Sequence, residues 1–192
     1  MIVACLGDSI TAGSPLWDPD PVVRARIGDP DERSQWQWWA ARRAEPQLDF
    51  RNHGVYGERT DQIAARFDGA VGGAELLIVQ GGINDVVQGR PAEEAARNLA
   101  DMIERGLGLG LRVAVADVLP WNNGDARAAQ DIARLNQLVR AMADGFGVPL
   151  LPFHDTLADP QQPHRMRDEW TDDGDHPSVE GHRLLGERAF RT

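Results

Sequence analysis

Short apolar runs alternate along this chain with longer stretches in which apolar side chains recur every three or four positions. Several short runs are apolar at consecutive positions, as strands buried on both faces of a parallel sheet are. They predict five strands: Ile2–Leu6, Leu48–Arg51, Glu75–Gln80, Arg112–Ala116 and Val148–Leu151. Because helical stretches separate these strands, the pattern indicates successive βαβ units, and the predicted fold class is α/β.

Polar and proline residues mark the predicted helix boundaries. The segment Ser34-Gln35-Trp36-Gln37 has the spacing of a capping box, which predicts a helix after Ser34. Pro91, followed by two glutamates, favours a helix start, and glycines at positions 106, 108 and 110 mark the end of that helix. Ser178 is predicted to cap the last helix. One buried stripe is predicted on the helix before it, formed by Ile132, Leu135, Val139 and Met142.

Residues 14–32 interrupt this regular alternation. They contain Pro15, Pro19, Pro21, Gly28 and Pro30 among several charged residues, which predicts a long loop. Loops of this length in compact domains often cover or line a binding site. Two interpretations therefore stand side by side, a lid over a site and a plain surface excursion.

The length and composition suit one globular domain spanning residues 1–192, since 42% of the residues are hydrophobic. No apolar run approaches the roughly 20 residues that cross a bilayer, so no membrane span is expected. The apolar run at the N-terminus is too short for a signal peptide, which favours a cytoplasmic protein. A trimmed secreted protein would share this feature.

The charged residues exclude several function classes. The formal net charge is −10 and there is no basic stripe, which argues against nucleic acid as a partner. All 20 basic residues are arginine, so Schiff-base chemistry, a serine–lysine dyad and a Walker-type phosphate lysine are unavailable. The single cysteine, Cys5, lies in an apolar run and is expected to be a buried thiol without redox function.

Polar clusters follow the predicted strands. In open α/β sheets, ligands bind beyond the carboxyl ends of the strands, so these clusters are where chemistry is expected. Four of them follow successive strands: Gly7–Ser9, Asn52–Thr60, Gly81–Asp85 and Trp121–Asn123. A fifth, Asp172–His176, precedes the last helix.

Ser9 is a candidate nucleophile, although an Asp-Ser pair after a strand is also a common turn or helix cap. A serine hydroxyl needs a base, and histidine has a suitable pKa near neutrality. Of the five histidines, only His176 follows a carboxylate by three residues in a glycine-containing turn. That carboxylate, Asp173, is the expected orienting residue of a triad, with Asp172 and Asp175 as rivals.

Acyl transfer also requires hydrogen-bond donors directed at the developing oxyanion. The backbone N–H of Gly57 is open to close approach because glycine has no side chain, and Asn84 offers an amide. Together with the backbone N–H of Ser9, they are the expected donors of an oxyanion hole. The alternative interpretation is that Gly57 and Asn84 serve only local turn geometry.

Four ordered blocks in this chain resemble those of the SGNH (GDSL) hydrolase family. They are Gly7-Asp8-Ser9, Asn52-x-Gly54-x-x-Gly57, Gly82-x-Asn84-Asp85 and Asp173-x-x-His176-Pro177, and they span nearly the whole chain. The resemblance implies a flavodoxin-like three-layer α/β/α sandwich whose parallel strands have the order 2-1-3-4-5. It also implies that Ser9 is the nucleophile and that Ser9, Gly57 and Asn84 are the oxyanion donors. His176 would then be the base and Asp173 its orienting residue.

Three further residues are candidates for substrate binding. Tyr56 stands beside Gly57, where a small residue is common in the family, and Trp121 with Asn122 follows the fourth strand. An aromatic face and an amide there suit an acyl group or a sugar ring, although Trp121 is as easily explained as a loop anchor. The remaining histidines receive no role: His53, His154, His164 and His182.

The predicted function is hydrolysis of small carboxylic esters, with short-chain acyl or O-acetyl-carbohydrate esters as the first substrate class. Lysophospholipid or thioester hydrolysis and acyl transfer are alternatives that use the same residues. A non-catalytic flavodoxin-like binding module is the alternative outside enzymes. No cofactor is expected, and a metal site at residues 172–176 with His182 is disfavoured because no His-x-x-x-His pair or cysteine ligand set is present.

Overall fold

The computed structural model describes residues 1–44 and 47–190. Its central feature is a parallel sheet of five strands in the order β2-β1-β3-β4-β5. The order and the flanking helices confirm the predicted α/β class and strand arrangement. The strands are β1 (Ile2–Gly7), β2 (Asp49–Gly54), β3 (Leu76–Val79), β4 (Arg112–Ala116) and β5 (Leu150–Leu151).

Helices connect these strands and cover both faces of the sheet. Two of them are long, α7 (Ala92–Gly108) and α8 (Ala126–Phe146). The short helices before α7 are α1 (Ser9–Ala12), α2 (Pro21–Arg24), α3 (Trp36–Ala41), α4 (Thr60–Ala65), α5 (Phe67–Ala70) and α6 (Ile83–Val87). After α8 come α9 (Phe153–Leu157) and α10 (Val179–Leu184), and α10 continues into a π-helical turn at Leu185–Ala189.

Alternate residues of each strand enter two separate cores, which makes the fold three layers deep. Leu6 of β1 belongs to the core beneath α4, α7 and α8, whereas Cys5 belongs to the core beneath α3, α9 and α10. Ile78 and Val79 divide in the same way on β3. Cys5 is fully buried, as expected from its apolar surroundings.

The strand bounds differ from the predicted ones at the two edges of the sheet. β2 continues to Gly54, so the second polar cluster begins inside the strand rather than after it. β5 contains only two residues, because the αL residue Gly147 ends α8 immediately before it and Pro149 has no N–H to donate. A hairpin of β6 (Ala158–Asp159) and β7 (Gln162–Met166), absent from the predicted elements, lies outside the main sheet.

Most predicted helix boundaries are confirmed. Pro91 precedes α7, which ends at Gly108, and the Ser178 side chain accepts a hydrogen bond from the Gly181 N–H at the start of α10. In the predicted stripe of α8, Ile132, Leu135 and Val139 are buried and Met142 packs at the edge of the core.

The capping box predicted at Ser34 is wrong, although a helix does follow at Trp36. Ser34 belongs to a 3-10 turn, Glu32–Ser34, and its hydroxyl is buried without a partner among the described residues. Gln37, whose side chain the capping box pairs with the Ser34 backbone, donates instead to the Thr11 carbonyl at 2.9 Å. Contacts with α1 therefore take precedence over the local capping pattern.

Two other features bear on the predicted loop and on membranes. Residues 14–32 contain the single-turn helix α2, which Asp20 caps through the Val22 N–H. Among the described helices, none is both long enough and apolar enough to span a bilayer.

Candidate active site

The first polar cluster sits where β1 ends against α1. Asp8 caps α1 by accepting from the Ile10 N–H at 3.0 Å, and Ser9 is the first residue of that helix. A Cβ at Gly7 would lie within 3 Å of the Thr11 and Gln80 side chains, so only glycine fits before the turn. The tight turn places the Ser9 hydroxyl at the carboxyl edge of the sheet, as predicted for this position.

His176 reaches Ser9 from the segment that precedes α10. Its Nε2 lies 3.1 Å from the Ser9 Oγ, although 167 residues separate the two along the chain. Gly174, with φ of 83°, turns the segment, and the Thr171 hydroxyl donates to the His176 carbonyl at 2.7 Å. An isolated bridge between Thr171 and Pro177 closes the loop. The imidazole is therefore held at the Ser9 hydroxyl by its own short loop.

Asp173 contacts His176 from the other side of the ring. Its Oδ2 lies 2.7 Å from the His176 Nδ1, and its Oδ1 accepts from the backbone N–H groups of His176 and Asp175. Partial burial raises the pKa of the Asp173 carboxyl, but these hydrogen bonds outweigh the burial and leave the pKa below its usual value. The carboxylate is thus ionised near neutrality and able to stabilise a protonated His176.

The rival carboxylate Asp175 points elsewhere. Its Oδ1 accepts from the Trp121 indole N–H at 2.6 Å and from the Asn123 side chain at 2.7 Å. The Asn123 amide also donates to the Asp173 carbonyl at 2.9 Å, so the segment after β4 is tied to the His176 loop.

Glu58, which follows Gly57 in the sequence, connects Gly57 to Asn84. The Asn84 Nδ2 donates to the Glu58 carbonyl at 2.9 Å, which uses one of its two hydrogens and fixes the amide orientation. Gly57 has a φ of 77° and nothing within 4 Å of the position of a Cβ, so glycine is needed for the backbone conformation. The second block is thereby linked to the third.

Asp85 and Gly82 support this arrangement. The Asp85 carboxylate is almost fully buried and accepts from the Thr60 N–H and hydroxyl, both at 2.9 Å. Gly82, with φ of 120°, opens α6 where a Cβ would meet the side chains of Leu135 and Val118. The turn before Asn84 is therefore fixed on both sides.

The three candidate substrate residues fall in different surroundings. The Tyr56 ring is 65% exposed and stacks on the His176 imidazole at 5.9 Å between centroids, with an interplanar angle of 29°. Trp121 is half-buried and bound to Asp175. The Asn122 amide is engaged with the hairpin, because it accepts from the Met166 N–H at 2.7 Å and donates to the Met166 carbonyl at 3.0 Å. The Asn122 side chain is therefore bonded to β7 through both its oxygen and its nitrogen.

Two cavities lie near these residues. A narrow apolar cleft of about 10 Å³ begins beside Ser9 and is lined by Ile10, Gln80, Ile83, Val118, Leu119, Pro120, Trp121 and Asp175. A polar groove of about 400 Å³ lies over the hairpin and is lined by residues between Asp159 and Glu169. The cleft is the cavity whose lining includes neighbours of Ser9, Asn84 and His176.

Two buried titratable groups near the site were not predicted from the sequence. Burial raises the pKa of Asp8 to about 6, opposed in part by the Ile10 hydrogen bond. His182 is fully buried, neither ring nitrogen has a partner among the described residues, and burial lowers its pKa to about 3. His182 directly follows Gly181 on α10, and its local sequence does not indicate that it is buried. Across residues 1–44 and 47–190, no group of His, Cys, Asp and Glu is arranged to hold a metal ion.

Comparisons with known structures show the fold. A protein from Desulfitobacterium hafniense assigned to the G-D-S-L lipolytic family superposes with a TM-score of 0.79 at 21% identity, covering 97% of this chain and 95% of that one. A member of the lipolytic protein G-D-S-L family from Veillonella parvula gives 0.77 at 20% identity, with coverages of 97% and 94%. A lipase/acylhydrolase from Enterococcus faecalis gives 0.76 at 20% identity, with coverages of 96% and 91%.

Sequence comparison supplies the family. A search of curated proteins finds no match. The model of the GDSL-like Lipase/Acylhydrolase family matches residues 5–184, which includes all four blocks described above. The chain belongs to the GDSL-like lipase/acylhydrolase family and, with it, to the hydrolases.

Proposed function

We propose that this chain is a serine ester hydrolase that forms an acyl-enzyme on Ser9. The observation that carries the proposal is the continuous chain of contacts from Asp173 through His176 to Ser9, with distances of 2.7 Å and 3.1 Å. Both distances are within the hydrogen-bond reach that proton transfer in serine hydrolysis requires, which supports the proposal.

In the first half-reaction, the Ser9 Oγ attacks the ester carbonyl while the His176 Nε2 takes the hydroxyl proton. The Asp173 carboxylate stabilises the imidazolium that forms and keeps the ring in its orientation. His176 then gives the proton to the departing alkoxide, leaving the acyl group on Ser9. In the second half-reaction, a water molecule loses a proton to His176 and attacks the acyl carbon. His176 then returns that proton to the Ser9 Oγ as the bond between the Oγ and the acyl carbon breaks and the acid leaves.

The negative charge that develops on the carbonyl oxygen needs donors that are already in place. The backbone N–H groups of Ser9 and Gly57 and the free hydrogen of the Asn84 amide are the proposed donors. Each such donor is typically worth about 3 kcal/mol of transition-state stabilisation. The hydrogen bond from Asn84 to the Glu58 carbonyl supports this assignment, because it holds the amide before the charge develops.

The cleft beside Ser9 favours a short acyl group. Its volume of about 10 Å³ corresponds to roughly one water molecule, which is close to the size of a methyl group. The long acyl chains of lysophospholipids or fatty thioesters are larger than the space within this cleft. We therefore assign acetyl and similarly short esters as substrates.

Tyr56 is proposed to contact the alcohol part of the ester. The leaving alkoxide takes its proton from the His176 Nε2, and the exposed Tyr56 ring stacks on the same imidazole. An aromatic face at this position suits an aryl group or the apolar face of a sugar ring.

A panel of p-nitrophenyl esters with acetate, butyrate and octanoate as acyl groups tests the proposal. Wild type is expected to prefer acetate, and Ser9→Ala is expected to lower kcat by at least about 10³-fold. Ser34→Ala is a matched control, since Ser34 is also a fully buried serine but its hydroxyl has no partner among the described residues. Undiminished turnover in Ser9→Ala would remove Ser9 from the mechanism, and a wild type inactive on every ester would refute ester hydrolysis.

A further inference from the structure

One arginine outside the four blocks, Arg66, contacts the segments that carry two of the three proposed oxyanion donors, Ser9 and Gly57. The Arg66 Nε donates to the Glu58 Oε2 at 2.7 Å, and its Nη2 donates to the Gly7 carbonyl at 3.1 Å. Gly7 is two residues before Ser9, and Glu58 directly follows Gly57. A single guanidinium therefore joins the ends of the first and second blocks.

The third donor is connected to the same pair through the backbone of Glu58. The carbonyl of Glu58 accepts from the Asn84 amide, while the carboxylate of the same residue accepts from Arg66. The Gly7 carbonyl in turn accepts from the Val55 N–H at 3.0 Å as well as from Arg66. Arg66, Glu58 and Gly7 thus form the junction at which the Ser9, Gly57 and Asn84 segments meet.

We propose that Arg66, through its ion pair with Glu58, is a positioning residue for the oxyanion donors. The inference rests on the proposed function, because it concerns donors that act only if Ser9 attacks a carbonyl. Arg66 itself touches no reacting atom. Its effect is to hold the backbone of Gly57 and the amide of Asn84 at fixed positions relative to Ser9.

The turn that carries Gly57 depends on such a tether because it has little packing of its own. Val55 and Tyr56 are 39% and 65% exposed, and a Cβ at Gly57 would meet nothing within 4 Å. Without buried side chains, hydrogen bonds decide where this turn lies. Oxyanion donors must be within about 2.7–3.1 Å of the charged oxygen, so a shift of about 1 Å removes most of their effect.

Arg66 is itself well anchored and partly shielded from water. It lies between α4 and α5, and the next residue, Phe67, is fully buried in the core. The Arg66 and Glu58 side chains are 28% and 17% exposed, so solvent screens their ion pair less than it screens a surface pair. The planar guanidinium directs one donor at the Glu58 carboxylate and another at the Gly7 carbonyl. A lysine ammonium lacks this fixed geometry and would hold the two acceptors together less well.

Removing the guanidinium is expected to affect the transition state rather than substrate binding. Arg66→Met should lower kcat on p-nitrophenyl acetate by about 10-fold or more, while KM changes less than about threefold. A boronic acid, which forms a tetrahedral anionic adduct with a serine, should bind Arg66→Met more weakly by a similar factor. Arg66→Lys keeps the charge and is expected to recover part of the lost kcat.

Glu58→Gln provides a second variant if Arg66→Met fails to fold. It retains the backbone carbonyl that accepts from Asn84 and weakens only the contact with Arg66. Its kcat should fall by less than that of Arg66→Met, again with little change in KM. A loss confined to thermal stability, with kcat unchanged in both variants, would indicate a structural role and overturn the inference.

Arg105→Met is the matched control. Arg105 is 34% exposed, pairs with Asp68 and Asp101, and donates to the Ala64 carbonyl. Its replacement therefore removes ion pairs and a backbone hydrogen bond of the same kinds that Arg66→Met removes. Arg105 contacts none of the donor segments, and its variant is expected to keep wild-type kcat. If Arg66→Met matched Arg105→Met while Ser9→Ala was inactive, the inference would fail and the proposed function would stand. If wild type itself were inactive, the proposed function would fail first.

Discussion

Asp173 binds His176 at two places, the ring and the backbone. One carboxylate oxygen lies 2.7 Å from the His176 Nδ1, and the other accepts from the His176 N–H, also at 2.7 Å. The carboxylate therefore fixes the rotation of the ring and the course of the loop that carries it. In a serine hydrolase, this contact also selects the tautomer that leaves Nε2 free to accept the serine proton.

Asp173→Asn is expected to lower kcat by a factor approaching about 10⁴, because an amide at this position favours the wrong imidazole tautomer. KM should change little, since Asp173 does not face the substrate. Steady-state kinetics on p-nitrophenyl acetate measure the effect. Asp172→Asn is the control, because Asp172 is exposed and the Nδ1 of His176 is already occupied by Asp173. A larger loss in Asp172→Asn than in Asp173→Asn would contradict this assignment.

The sheet and the positions of the four blocks were predictable because their signals are local. Consecutive apolar residues identified β1, β3 and β4, and the polar residues at the ends of those strands marked the site. The bounds of β5 were harder to predict, because the strand has only two residues that pair with β4. The first two residues of the predicted strand, Val148 and Pro149, instead belong to the connection from α8.

The features that escaped prediction depend on contacts between distant residues. Arg66 bonds to Gly7, which is 59 positions away, and a pattern read along the chain contains no trace of this bond. The Asn122 amide bonds to a hairpin that was itself not among the predicted elements. Ser34 matched a capping box locally, but the packing of α3 against α1 redirected Gln37 to the Thr11 carbonyl.

Tyr56→Ala is expected to weaken the use of acetate esters that have a flat alcohol group. Loss of the aromatic face should lower kcat/KM about fivefold on phenyl acetate, mainly through KM, and much less on ethyl acetate. Tyr56→Phe retains the ring and is the matched control. An equal loss of kcat on both esters would show that Tyr56 acts through the His176 ring and not through the alcohol.

Trp121→Ala is expected to relax the preference for short acyl groups. Trp121 lines one wall of the cleft, and removing the indole opens space beside Ile10 and Ile83. The ratio of kcat/KM for butyrate over acetate should rise about 10-fold, which is within the range that one or two methylenes contribute in an apolar pocket.

Trp121→Phe separates the volume of this side chain from its hydrogen bond. It keeps most of the aromatic wall but loses the bond from the indole N–H to Asp175. The acyl preference of wild type should therefore persist in this variant. If Trp121→Phe relaxed the preference as much as Trp121→Ala does, the hydrogen bond to Asp175 rather than the size of the wall would control it.

Asp8→Asn is expected to stabilise the protein at neutral and alkaline pH. Burial raises the pKa of Asp8 from 3.8 to about 6, so the folded state binds this proton more tightly than the unfolded state. The contribution of Asp8 to stability is therefore expected to fall as pH rises from about 4 to about 6, by on the order of 3 kcal/mol for a shift of this size. Asparagine caps a helix as well as aspartate and does not ionise. In urea unfolding, the variant should have a higher free energy of unfolding than wild type at about pH 8 and an equal one below about pH 4. A difference in unfolding free energy that did not change with pH would exclude ionisation of Asp8 as the cause.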